Sequence, residues 1–173
     1  MIALLLVLVI AAAAAFTDVT RRRIPNQLPA LLLCTGFLLQ ATHGWQSAVV
    51  SIVLFLGAFA FGTFLFSLKL LGGGDVKLIA AACAALGWPL AAGFLLYTIL
   101  AGGLLGISIA VARGRLRPVF ENVKSLAFPL LSGVRPAPIS SAVGTMPYGL
   151  AIFAGAATLA AGKHWAFNLR ILP

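Results

Sequence analysis

From Ser47 to Leu68 the chain carries no ionisable side chain, and its polar residues there are Ser and Thr alone. A helix over that stretch is apolar on every side. A soluble domain can bury one or two such helices in its core. Here the pattern recurs along nearly the whole chain, and the helices cannot all be interior. Charged residues make up 9% of the sequence, against about a quarter in a soluble domain. There is too little polar surface to cover a water-soluble globule, so the sequence describes an all-α integral membrane protein.

A spanning helix needs about 20 apolar residues. Six segments qualify, some of them short: about Ile2 to Thr17, Leu28 to Ala41, Ser47 to Leu68, Val76 to Leu86, Pro89 to Ala112 and Pro147 to Ala161. The fourth is the shortest and stops early at Gly87-Trp88-Pro89. The first resembles a signal peptide in its alanine-rich end, but the basic run follows it instead of preceding it, which favours a retained helix with its N-terminus outside. Three loops hold Arg21 to Arg23, Lys69 with Lys77, and Arg113, Arg115, Arg117, Lys124 and Arg135. With six spans all three fall on one side, and they hold ten of the twelve Lys and Arg residues. The loops ATHGWQ and LGWP on the other side hold none. The positive-inside rule makes the basic side cytoplasmic. Because these charges sit at the ends of apolar runs and form no stripe on a folded face, the net charge of +9 does not indicate nucleic acid. Residues 113–145 form the long polar stretch, expected to be a cytoplasmic loop with a short amphipathic helix near Phe120 to Phe128. Cys34 and Cys83 lie within spans as packing residues, and no CxxC pair suggests a zinc module.

Against this background three acids stand out: Asp18, Asp75 and Glu121. Glu121 belongs to the polar loop and is expected to be solvated. Asp18 ends the first span and Asp75 begins the fourth, so both fall at one depth on the basic side. A carboxylate at a membrane boundary is costly unless hydrated or paired. Two aspartates facing one water are the minimum equipment of an aspartic protease: like charges a few Å apart do not both ionise, so one activates water while the other donates to the carbonyl oxygen. That chemistry calls for no cofactor and no metal. Simpler roles are open to each residue alone, Asp75 as a helix cap and Asp18 as a partner of Arg21 or Arg22. Helix dipoles suggest a division of labour, with Asp75 at a helix N-terminus as the anion and Asp18 at a C-terminus as the acid.

Directly before Asp75 stand Gly72, Gly73 and Gly74. They allow a sharp turn into the fourth span, and they remove side chains that would keep a substrate backbone away from Asp75. A phosphate-cradling loop is disfavoured, since no GK[ST] follows and an aspartate would repel the phosphate.

The stretches LGGGDVKL and TDVTRRRIPNQL, in their order and at helix ends, resemble the prepilin peptidases, the Gly-x-Gly-Asp membrane aspartic proteases that process type IV prepilins. The stretch MPYGLAI, residues 146 to 152, is similar to the Pro-Tyr-Gly-Pro-Ala-Ile motif at that family's last helix, with Leu150 where the second proline is usual. The resemblance implies one membrane-embedded peptidase domain over residues 1–173, in the bacterial inner membrane, with Asp18 and Asp75 catalytic at the cytoplasmic face. Its implied partner is a prepilin, whose short basic leader is cut from an apolar helix. The family's larger members carry a four-cysteine zinc segment and N-methylate the product. This sequence lacks that segment and is more similar to the peptidases of Flp-type pili, so methylation is not expected. Asn26, Lys77, Pro147 and Tyr148 are candidates to support the site or bind substrate. Asn26 with Pro25 also turns the chain into the second span, and Lys77 also serves as a topology-setting charge. Arg21 to Arg23 read as cytoplasmic anchors, and His43 and His164 fall on the far side. Two other classes compete. One is a small proton-coupled transporter, disfavoured by acids at one face and by the lack of an internal repeat. The other is a non-catalytic assembly factor of a pilus or secretion machine.

Overall fold

The computed structural model describes residues 1–112, 114 and 148–169, with side chains as far as 163. Among these residues there are six helices and no strand: α1 (Ile2–Arg21), α2 (Gln27–Thr42), α3 (Trp45–Ser67), α4 (Gly73–Leu86), α5 (Leu90–Ala112) and α6 (Gly149–Leu169). Glu121, Pro147, the helix expected at residues 120–128 and the side chain of His164 lie outside the described residues. The chain divides into two compact units, one of Met1–Gly102 with Pro147–Pro173 and one of Gly103–Met146. Everything described below belongs to the first, apart from residues 103–112 at the end of α5.

Helices α1, α3 and α5 are long and apolar enough to cross a membrane. Their outer faces are apolar too. Ile52, Val53, Leu56, Phe61, Phe64 and Phe66 of α3 are all exposed, while the residues that α3 buries are Ser51 and Gly62. A water-soluble helix would show the reverse pattern. Here lipid is the outer solvent, and the close approach of neighbouring helices depends on small residues.

The short fourth helix lies at the centre. From Leu78 to Leu86 every residue of α4 is buried, against Leu32 of α2 and the α1 row Leu4, Val7, Ala11 and Ala14. Fourteen residues rise about 21 Å, short of the ~30 Å of hydrocarbon. Such a helix leaves its last carbonyls without partners inside the bilayer unless the protein supplies donors. Two neighbours do so. Gln40 Nε2 of α2 donates to the Ala85 carbonyl at 2.9 Å, and Ser51 Oγ of α3 donates to the Ala84 carbonyl at 2.8 Å. Gly87 closes the helix at φ 66°, a conformation that side chains rarely adopt, and its N–H reaches the Cys83 carbonyl at 3.1 Å.

α1 and α6 form a second packed pair. Their contact face is again small, with Ala11, Ala14 and Ala15 on α1 and Ala151 and Ala156 on α6 all buried. α1 ends where Arg22 takes the left-handed conformation and returns its N–H to the Asp18 carbonyl at 2.9 Å.

Candidate active site

Asp75 is the third residue of α4, and Gly72 is the residue that caps the helix. The aspartate is therefore not the cap that its position suggested. Instead its Oδ2 reaches back to accept the Gly72 N–H at 3.1 Å. Asp75 is 8% exposed, and among the described residues its Oδ1 has no hydrogen-bond partner. It stands one residue before the apolar run 76–86. Burial, first, and the charge of Asp18, second, raise its carboxyl above the ordinary carboxylate range, while the Gly72 hydrogen bond acts the other way.

The influence of Asp18 on Asp75 is the point at which residues 57 positions apart (75 − 18) meet. Asp18 lies in the last turn of α1 and is half-buried. Its carboxylate does not turn to the neighbouring arginines. Oδ2 accepts the backbone N–H of Gly149, the first residue of α6, at 2.8 Å. Tyr148, next in line, is half-buried and within reach of the Asp75 charge. Its ring packs on Gly102 of α5, where an added Cβ would fall 2.7 Å from the tyrosine hydroxyl. The two acids and the N-terminal turn of α6 therefore share one neighbourhood.

The three glycines differ from one another. A Cβ on Gly72 would fall 2.7 Å from Asp75 Oδ2, and one on Gly74 would fall 3.1 Å from Ile24 Cβ. A Cβ on Gly73 meets nothing nearer than Phe66 at 3.7 Å. Gly73, Val76 and Lys77 share a helix face and line an apolar cavity of about 210 Å³ with Phe59, Thr63 and Phe66 of α3. Asp75, two residues after Gly73, leaves α4 on the opposite side. The open space beside this turn thus lies at Gly73, on the side of α4 away from Asp75, while Gly72 makes room for the acid itself.

Asn26 and Lys77 are brought together, but by a bond to each other: Lys77 Nζ donates to Asn26 Oδ1 at 3.1 Å, and both residues are exposed. Arg21, Arg22 and Arg23 are exposed as well. His43 ends α2 at the opposite end from Asn26, with its Nδ1 against the Leu39 carbonyl. Sequence reasoning singled out Tyr148 and passed over its neighbour Gly149. It also passed over Gln40 and Ser51, although an amide and a hydroxyl inside apolar spans are a signal that some buried group needs them.

A model described as the type IV leader peptidase family matches residues 4–107. No curated protein and no solved structure matches the chain. The match takes in both aspartates, the glycine run and the first five helices almost to the end of the fifth. It covers more than half of the sequence, and the chain belongs to the type IV leader peptidase family.

Proposed function

We propose that this membrane peptidase is an aspartic endopeptidase that removes the basic leader from type IV prepilins, of the Flp type, at the cytoplasmic face of the inner membrane. The observation that carries the reading is the convergence of Asp18 and Asp75: the charge of the α1 acid acts on the α4 acid, and the α1 acid is held at the first turn of α6. A water between them is the nucleophile.

The environments favour an assignment opposite to that from helix dipoles alone. Asp18 ends α1, and its Oδ2 accepts an amide at the start of α6, which holds the carboxylate in place for the role of base. Asp75 is more deeply buried, with one carboxyl oxygen bare among the described residues, which favours its protonated form. Asp18 takes a proton from water as the water oxygen bonds to the scissile carbonyl carbon. Asp75 gives its proton to the carbonyl oxygen. The resulting tetrahedral diol collapses, the C–N bond breaks, and the proton held by Asp18 passes to the leaving nitrogen while Asp75 recovers its own.

The prepilin's apolar helix would stay in lipid and present its leader junction at the first turn of α4, on the side of that helix where Asp75 stands. Co-expression with an Flp-type prepilin tests the reading through the leader-sized mobility shift. Asp18→Asn and Asp75→Asn each keep shape and remove the acid, and each is expected to lower cleavage by about 10²–10⁴-fold. Processing that persists in both variants overturns the dyad, and cleavage of other type IV prepilins in preference to Flp-type ones overturns the substrate assignment.

A further inference from the structure

The family match ends at residue 107, yet the site does not. Asp18 Oδ2 is held by a backbone amide 131 positions later in the chain, at 2.8 Å. The first N–H groups of a helix have no partner within it, so the Gly149 N–H is free to serve another group. Its surroundings leave room for nothing else. A Cβ at 149 would lie 3.0 Å from both Cβ and Oδ2 of Asp18 and 3.2 Å from the Ala15 Cα. The carboxylate occupies the space a side chain would take, and the α1 backbone closes the other side. The turn is held in place from two directions. Tyr148 packs on Gly102 of α5, and the Tyr148 carbonyl accepts the Ile152 N–H at 3.1 Å to start the helix. An aspartate in the last turn of a helix otherwise faces carbonyl dipoles and turns away toward water or a cation.

We propose that the Gly149 backbone amide is a positioning group of the active site, fixing the Asp18 carboxylate toward Asp75, so that the start of α6 is the third arm of the catalytic machinery. This rests on the dyad reading above and deepens it. Asp18 acts on the water, and Gly149 acts through Asp18. A positioned base needs its lone pair aimed at the water in the transition state, so the loss should appear in kcat and not in KM.

The test replaces the residue-149 amide by an ester, incorporating glycolic acid at that position in the full-length protein assembled in nanodiscs. The change swaps N–H for O and adds no atoms. The ester also weakens the Tyr148 carbonyl as an acceptor, so the matching ester at Leu150 serves as control. The 149 ester is expected to lower kcat on a prepilin substrate by tenfold or more, with KM within twofold of wild type. The 150 ester is expected to stay near wild type in both. Gly149→Ala, which keeps the N–H but crowds the carboxylate, should lower kcat in the same way. A 149 ester with wild-type kcat, or one that changes kcat no more than the 150 ester does, overturns the proposal. Asp18→Asn is run alongside. If it is inactive, the ester result bears on Gly149 alone. If it still cleaves, the dyad and this inference both fall.

Discussion

Helix α3 runs 23 residues and buries Ser51 and Gly62, whereas α4, packed against it, runs 14 and leaves Gly73 and Lys77 exposed. Both are apolar helices of the same bundle, but they answer to different solvents. α3 meets lipid, so its length matches the hydrocarbon and its bulky side chains point outward. α4 meets protein, so its length is free to fall short, its residues are small, and its ends need partners from side chains. The length requirement thus belongs to the lipid-facing surface of a bundle and not to every helix within it. The shielded helix is also the one that carries a buried acid, because only there can the protein set the polarity around a carboxyl.

The sharpest way to break this contrast is to add the same bulk to each partner. Gly36 of α2 faces α4, and a Cβ there would fall 2.7 Å from the Ala85 Cα, a backbone atom that cannot swing aside. Gly57 of α3 has nothing within 4 Å. Gly36→Leu is expected to cost about 3 kcal/mol or more and to abolish monodisperse protein in detergent, while Gly57→Leu leaves yield and Tm unchanged. Equal tolerance at the two sites would mean that α4 is not the packed centre.

A smaller contrast is expected within the first turn of α4. Gly72→Ala pushes a Cβ against the end of a flexible carboxylate, so the fold survives and the acid moves. Cleavage should fall about 100-fold with little change in Tm. Gly73→Ala has open space at 3.7 Å and should stay within about twofold, since no reacting group need shift. If the triplet serves only as a loose hinge, the two variants will behave alike.

The smallest effect is on pH. The folded chain holds the Asp75 proton more tightly than the unfolded chain does. That contribution to stability is full below the unfolded value and is lost as pH rises through the raised folded value. Thermal melts of wild type should therefore drop on the alkaline side of that window, and Asp75→Asn should remove this part of the drop. In cleavage assays the same deprotonation takes away the acid, so the rate should fall as pH rises through it. A wild-type rate that climbs across the window would place the proton elsewhere.

Much of the fold was legible from hydropathy because each span is a local property. The expected segments and the observed helices agree to within a few residues at most ends, as with Leu28 to Ala41 against Gln27–Thr42 and Pro89 to Ala112 against Leu90–Ala112. The first span runs on through Asp18 to Arg21, because polar residues at a membrane boundary do not end a helix. Asp18 and Asp75 were legible as lone acids in an apolar chain. Their surroundings were not, because these are set by packing between distant segments. Nothing local in LGGGDVKL says that the Gly72 side faces a carboxylate while the Gly73 side faces a cavity. Likewise, the dipole argument read Asp18 against its own helix, whereas the amide that its carboxylate accepts belongs to Gly149.

The bonds from Gln40 and Ser51 to the far end of α4 have a bearing on the acid at its near end. Ala85 lies ten residues beyond Asp75, about 15 Å along the axis. Two side chains from two separate helices grip that end, so α4 cannot slide or turn as a piston without giving up both. Asp75 is thereby a fixed landmark in the bundle, its height set by anchors at the other end of its own helix.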